Sequence, residues 1–438
     1  MKPADVVLSN LLAKIDELTS DPEKIAVEPG KDFTRNRKLG ANNLIRMLLT
    51  MEAECINEEL YTYFGYTKEV PTKAAFCKQR CKLNQNALPF LLRQFNKTLS
   101  EKFYNEKYRF LACDGSGANI FRNPDDPDTY YPPSGRSKNG VNLIHINALY
   151  DITNRRIVDI LVQPGRKKNE YSAFCHMVDA FGNDGVPTVY FGDRGFASYN
   201  NFAHVIENGN FFLIRCNDCR LQCILGHSIE NLQEMDGWFD RILTRNQSSK
   251  KYSRPELSDN YRYVCPGVPF DYISQDHPEY DIKLHIIRFE LSPGCFENNI
   301  TNLPDDEFDF EDFKYLYFLR WGEENCFRDL KYPLALNFFH SKKYQCIVQE
   351  IWARAILHNF STAIIAGISI PESDTKHHYQ VNFAQAFKIC RAFLHNRIPN
   401  LLFEVERLMA KHIEAIRPGR TFDRQLRFNL PFSFCYRH

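Results

Sequence analysis

The chain lacks a long apolar run. Its longest apolar tracts, such as residues 362–370, are far shorter than the ~20 residues of a membrane-spanning helix. Met1, Lys2, Pro3, Ala4 and Asp5 do not begin an apolar h-region, so neither a secretory signal nor a membrane partner is expected. Net charge is also nearly absent, at +1 over 438 residues, and the total alone does not announce a polyanion binder. There is no internal repeat or low-complexity tract, which excludes solenoids and linker-like chains. Cysteine is plentiful, at 14, but lacks framework spacing. Cys216 and Cys219 have the C-x-x-C interval, with Cys223 and His227 beyond them, yet no second knuckle follows at a zinc-site distance. Reduced, packed thiols of a cytosolic protein are the expectation, with zinc as the alternative.

What is present is ordinary for a globular protein: 44% apolar and 25% charged residues, with 35 Phe and 22 Tyr. A chain of 438 residues is long for one core, so two or three folding units are expected. Charge is segregated. Residues 61–110 hold ten Lys or Arg against three Glu, whereas Asp305, Asp306, Glu307, Asp309, Glu311 and Asp312 form an acidic run. Such segregation suits a protein that meets a polyanion on chosen surfaces.

In residues 1–107 apolar positions recur at helical spacing, over Asp5–Leu18, around Leu44–Met51, from Pro71, and over Ala87–Tyr104. This all-helical, partly basic N-terminal module reads as a DNA-binding arm or as a cap on the next domain. At Tyr108 the period changes. Arg109–Asp114 reads as a short strand ending in a carboxylate and a glycine-rich turn, followed by strands Val141–Tyr150 and Ile157–Val162. A helix over Glu170–Phe181, a strand Thr188–Asp193, a helix Tyr199–Gly209 and a strand Asn210–Arg215 complete the first part of a core, 108–216. Three antiparallel strands followed by alternating helix and strand is the order of a ribonuclease H-like mixed sheet, an α/β fold. Residues 217–304 read as a β-rich insertion, 305–371 as the second part of the core with a long helix over Tyr344–Ile370, and 372–438 as a helical C-terminal region with a basic tail.

One stretch, Tyr317–Lys331, organises the rest. At ~100° per residue, Tyr317, Arg320, Glu324 and Lys331 fall within an arc of roughly 60° on one helix face. A phenol, two cations and a carboxylate suit phosphate binding together with metal ligation. Alone, the same face reads first as a solvated amphipathic surface. Asp114 and Asp193 weigh against that reading, because strand-end aspartates on the first and fourth strands of such a sheet are neighbours. A buried pair of like charges is costly without a cation between them.

The helix resembles the Y-x2-R-x3-E-x6-K signature of bacterial insertion-sequence transposases of the DDE type, and Tyr317, Arg320, Glu324 and Lys331 match all four positions. Further blocks resemble the same family in order: Asp114–Ser116, Leu149–Asp151, Gln163–Glu170, Phe191–Phe196, Thr301–Leu303 and Ala355–Ser361. The likeness runs from about residue 33 to the tail.

The resemblance implies that Asp114, Asp193 and Glu324 are the catalytic carboxylates. They would hold two Mg2+ ions, for which Mn2+ can substitute, as oxygen-only ligands favour these over zinc. Glu323 lies ~100° away around the helix and ranks below Glu324. Tyr317, Arg320 and Lys331 would bind phosphates beside the scissile bond. Arg194 is either a DNA contact or a partner of the carboxylates, and Arg166, Lys167 and Lys168 are either a phosphate-facing loop or a solvated turn. His145 and His176 are expected to pack or hydrogen-bond locally. Related transposases use an aromatic of the insertion on a flipped base, but nothing around Trp238 matches a motif. The function implied is binding of insertion-sequence ends, metal-dependent cleavage, and joining of 3′ ends to target DNA. A catalytically inactive DNA-binding derivative and a nuclease without strand transfer are the alternatives. Transposon-end DNA and target DNA are the expected partners, with a homodimer on DNA, in the bacterial cytoplasm at the nucleoid.

Overall fold

The computed structural model describes residues 2–134, 139–229, 233–319, 321–370, 378–395 and 404–416, without the side chains of 317, 318 and 321–325. The basic tail from 417 and Arg320 lie outside the described residues.

The N-terminal part is helical: α1 (Pro3–Thr19), α2 (Pro22–Ile25), α3 (Ala41–Thr50), α4 (Ile56–Phe64), α5 (Lys73–Arg80) and α6 (Ala87–Asn96). Local chemistry sets several starts. Asp21 caps α2 by accepting from the backbone N–H groups of Glu23 and Lys24, and Thr72 caps α5 by accepting from Ala75. Pro71 therefore precedes the cap instead of entering the first turn. Helix α6 stops at Asn96, earlier than its apolar pattern predicts, because residues 97–108 turn back through a Tyr104–Tyr108 bridge to enter the sheet.

The sheet contains β1 (Arg109–Ile120), β2 (Tyr130–Tyr131), β3 (Val141–Asp151), β4 (Arg156–Pro164), β5 (Thr188–Gly192), β6 (Phe211–Cys216), β7 (Met235–Thr244), β8 (Tyr261–Tyr263), β9 (Glu279–Ser292) and β10 (Cys295–Thr301). Helices α7 (Glu170–Phe181), α8 (Tyr199–Glu207) and α9 (Asp218–Leu225) fall between strands. Strands β1, β3 and β4 form an antiparallel meander, and β5 and β6 continue parallel to β1. The strands of residues 235–301 then extend the same sheet, with β10 antiparallel to β6 and β9, β7 and β8 beyond it. Downstream lie α10 (Phe310–Leu319), α11 (Trp321–Lys331), α12 (Tyr344–Ile365), β11 (Tyr379–Val381), α13 (Phe383–His395), α14 (Val405–Ala410) and β12 (Ile413–Ala415). The C-terminal region thus includes a small antiparallel pair, β11 with β12, that helical spacing did not predict. Among the described residues no helix is long and apolar enough to cross a membrane.

Alternation along β1 divides the interior. Ala118 and Ile120 face one apolar core shared with α1, α3, α6, α11, α12 and α13, whereas Leu111 and Cys113 face a second core with α7 and α8. A third core, under Phe110 and Ala112, is closed by Phe313 and Leu316 of α10. Helix α12 is buried on nearly all sides, so its polar residues must find partners inside.

One of them is His358, fully buried, with Nδ1 3.2 Å from the Asn359 side-chain oxygen. Burial pushes its pKa down to about 4 from 6.5. Between these values the unfolded chain binds a proton that the folded chain refuses, so this residue makes stability fall as pH drops through the window. Asp329, which lines the same cavity of about 710 Å³, works in the opposite sense. Burial lifts its carboxyl to about 6, and the stability of its protonated form is lost as pH rises through that value. His358→Leu should therefore flatten the acid loss by about 3 kcal/mol between pH 6.5 and 4, read from urea unfolding at both ends. Parallel pH profiles for wild type and variant would contradict this.

Candidate active site

Strand β1 runs parallel to β5 from Arg109 opposite Thr188 to Cys113 opposite Gly192. Asp114 and Asp193 are each the next residue. Two carboxylates thus leave neighbouring parallel strands at one level, where strand spacing is ~4.8 Å. Asp193 ends its strand and caps the short turn of helix at Arg194–Phe196, its Oδ1 accepting from the Gly195 N–H at 2.7 Å.

Asp114 does not end its strand. The expected glycine-rich turn is instead regular strand, paired with β3 from Asp114 opposite Ala148 through Gly117 opposite His145. Gly115 is needed for space: a Cβ there would meet His145 Nε2 at 2.3 Å and Glu170 Oε1 at 3.0 Å. His145 Nε2 stands 2.8 Å from Glu170 Oε1, and the His145 contact lowers the Glu170 pKa. Beside it, Gln163 accepts from Asn147 and from the Asn169 N–H, and Asn169 caps α7. The Gln163–Glu170 block is therefore a polar support on the face of β1 opposite Asp114. Gly115→Ala should cost about 1–3 kcal/mol by overpacking this support. A denaturation midpoint unmoved in that variant would show that the pair yields freely.

Asp114 and Ser116 share the face covered by α11. Phe327 and Leu330 of that helix pack in the core containing Ala118 and Ile120, and Lys331 Nζ donates to Ser116 Oγ. Burial lowers the Lys331 pKa, while the charge of Asp114 opposes that shift. Position 324 lies seven residues before Lys331, on the same stripe and ~10 Å away along the axis. The side chains of Glu324 and Tyr317, like all of Arg320, lie outside the described residues, and α10 and α11 flank position 320. Among the described residues no group of three or more His, Cys, Asp or Glu could hold a metal.

The remaining candidates are dispersed. Arg166, Lys167 and Lys168 are exposed at the end of β4; the Arg166 guanidinium stacks 5.4 Å from the Tyr131 ring and Lys167 pairs with Asp128 at 2.7 Å. Arg194 pairs with Glu297 at 3.0 Å, a residue with no sequence signal beyond one acid in a strand of amides. Trp238 stacks on His285 at 4.6 Å and donates from Nε1 to Asp305 at 2.9 Å. Cys216 is buried, whereas Cys219 and Cys223 are exposed on α9.

The family described as "Transposase DDE domain" matches residues 105–360, more than half of the chain. Among solved structures, the chain is similar to a cryo-EM structure of a piggyBac transposase synaptic complex with hairpin DNA. The TM-score is 0.42 and the identity 9%, over 97% of this chain and 88% of that one. No curated protein matches.

Proposed function

The chain belongs to the transposase DDE domain family, and on that premise we propose that it binds the ends of a bacterial insertion sequence, cleaves them, and joins the freed 3′ ends to target DNA. The observation that carries this reading is the register that sets Asp114 beside Asp193 at the ends of their shared ladder. The order β4-β3-β1-β5-β6, antiparallel then parallel, supports a ribonuclease H-like core. Lys331, reaching Ser116 from α11, supports the assignment of Glu324 on that helix as the third carboxylate and of the Y-R-E-K signature as a functional face.

Two adjacent carboxylates at the end of the β1–β5 ladder offer only oxygen donors, which fits a hard divalent cation. Asp114, Asp193 and Glu324 would hold Mg2+ or Mn2+. Bound as a pair, such ions activate the attacking oxygen and stabilise the leaving one. The protein's own part is to position. Lys331, Arg320 and Tyr317 hold the phosphates flanking the scissile bond, and Arg166, Lys167, Lys168 and Arg194 bind DNA backbone further out. The helical N-terminal module, 1–107, takes the element end, and two copies bridge two ends at the nucleoid.

The test is incubation of the full chain with end-bearing DNA and a target plasmid in Mg2+. Nicked ends followed by joined products are expected. Nicks without joining would make the protein a nuclease, and binding without nicks in Mg2+ or Mn2+ would make it an inactive DNA-binding derivative.

A further inference from the structure

Glu297 is buried to 1% of its side chain, near the start of β10, where the insertion rejoins the core sheet. A buried carboxylate needs compensation, and one arginine could supply it. Here two converge. Arg215 of β6 pairs with it twice, Nε to Oε1 at 3.0 Å and Nη2 to Oε2 at 2.5 Å, and Arg194 Nη2 reaches Oε2 at 3.0 Å. Arg215 is largely enclosed, but the Arg194 side chain is half exposed. The half-exposed Arg194 guanidinium thus stands one residue from Asp193 with its Nη2 fixed on Glu297.

We propose that Glu297 is a positioning residue that holds Arg194 as a seat for a DNA backbone phosphate beside the catalytic aspartates. This rests on the transposase reading and adds to it how the insertion takes part, since β10 sets the arginine that follows Asp193. A guanidinium has five N–H donors, and fixing one edge on Glu297 leaves the other aimed and ordered for a second anion. An arriving phosphate meets a donor whose side-chain entropy is already lost.

The experiment uses the full chain and a duplex carrying the element end, titrated across salt concentrations without divalent metal. Arg194→Ala should weaken binding and make the slope of log affinity against log salt shallower by about one. Glu297→Gln keeps both cations, so it should keep the slope, weaken binding about three- to tenfold, and slow single-turnover cleavage. In the double variant the loss should be no greater than for Arg194→Ala alone. Losses that multiply, or an Arg194→Ala variant with wild-type slope and affinity, would overturn the proposal. If Glu297→Gln does not fold, Glu297→Asp, which keeps the charge but draws it back from Arg194, takes its place: weaker binding with the slope kept is expected, and wild-type affinity would overturn the proposal. Absence of cleavage by the wild type would defeat the enzymatic reading and leave these binding slopes interpretable.

Discussion

Glu324→Gln should abolish strand cleavage while leaving affinity for end DNA within a few-fold. The amide keeps the size and the helix but removes the charge that, on the proposed function, completes the carboxylate set. Charge stabilisation by a held metal is worth several kcal/mol in the transition state, so a loss of at least about a thousandfold in single-turnover rate is expected. Position 324 lies on the stripe of α11 whose last turn reaches β1 through Lys331 and Ser116, which makes the effect specific to that residue. Glu323→Gln, ~100° around the helix, is the control and should retain most activity. Full activity in Glu324→Gln would remove the third carboxylate from the account.

The largest effect on stability is expected at Glu350. It is buried on α12 to 1%, with Arg80 Nη1 at 3.0 Å and His340 Nδ1 at 2.9 Å. Arg80, equally buried, also donates to the Gln349 side chain and the Cys346 carbonyl, and His340 Nε2 stands 3.6 Å from Glu59. Burial by itself would raise the Glu350 pKa, but the charges of His340 and Arg80 hold it down at about 2. The stability it contributes is therefore full above its unfolded value of 4.5 and is lost as pH falls through about 2. Glu350→Gln leaves Arg80 in the core without its counter-charge and His340 with Glu59 alone. The expected cost at neutral pH is about 3–5 kcal/mol, read as a shift of the urea midpoint. The cluster ties α4 and α5 to α12 and to the segment following α11, so the loss should reach the active site as well as the N-terminal helices. A midpoint within ~0.5 kcal/mol of wild type would mean the network is not what joins these parts.

How far the chain could be read in advance depended on how local the signal was. The apolar runs before Asp114 and Asp193 and the helix of Glu170–Phe181 follow from periodicity, and the structure has strands and a helix there. The strand through Gly115 and Gly117 was misread as a turn because glycine marks loops locally. Its reason is distant: His145 and Glu170 fill the space a side chain would take. The insertion looked like a separate β-rich unit because nothing local shows that β10 pairs with β6. Nothing in the sequence marks the cluster of Arg80, Glu350 and His340, since partners 270 residues apart, as Arg80 and Glu350 are, carry no spacing signal. For the same reason Arg194 was assigned without its partner Glu297. The C-terminal strands are three residues each and too short for any period to register.

The central claim is that Asp114, Asp193 and Glu324 form one metal-binding centre. Crystals of the full chain bound to end DNA and soaked in Mn2+ would test it through anomalous difference density. The account predicts signal held by these three carboxylates and lost from the same crystals of Asp193→Asn. Signal elsewhere on the chain, or signal at Asp114 that survives Asp193→Asn unchanged, would contradict it.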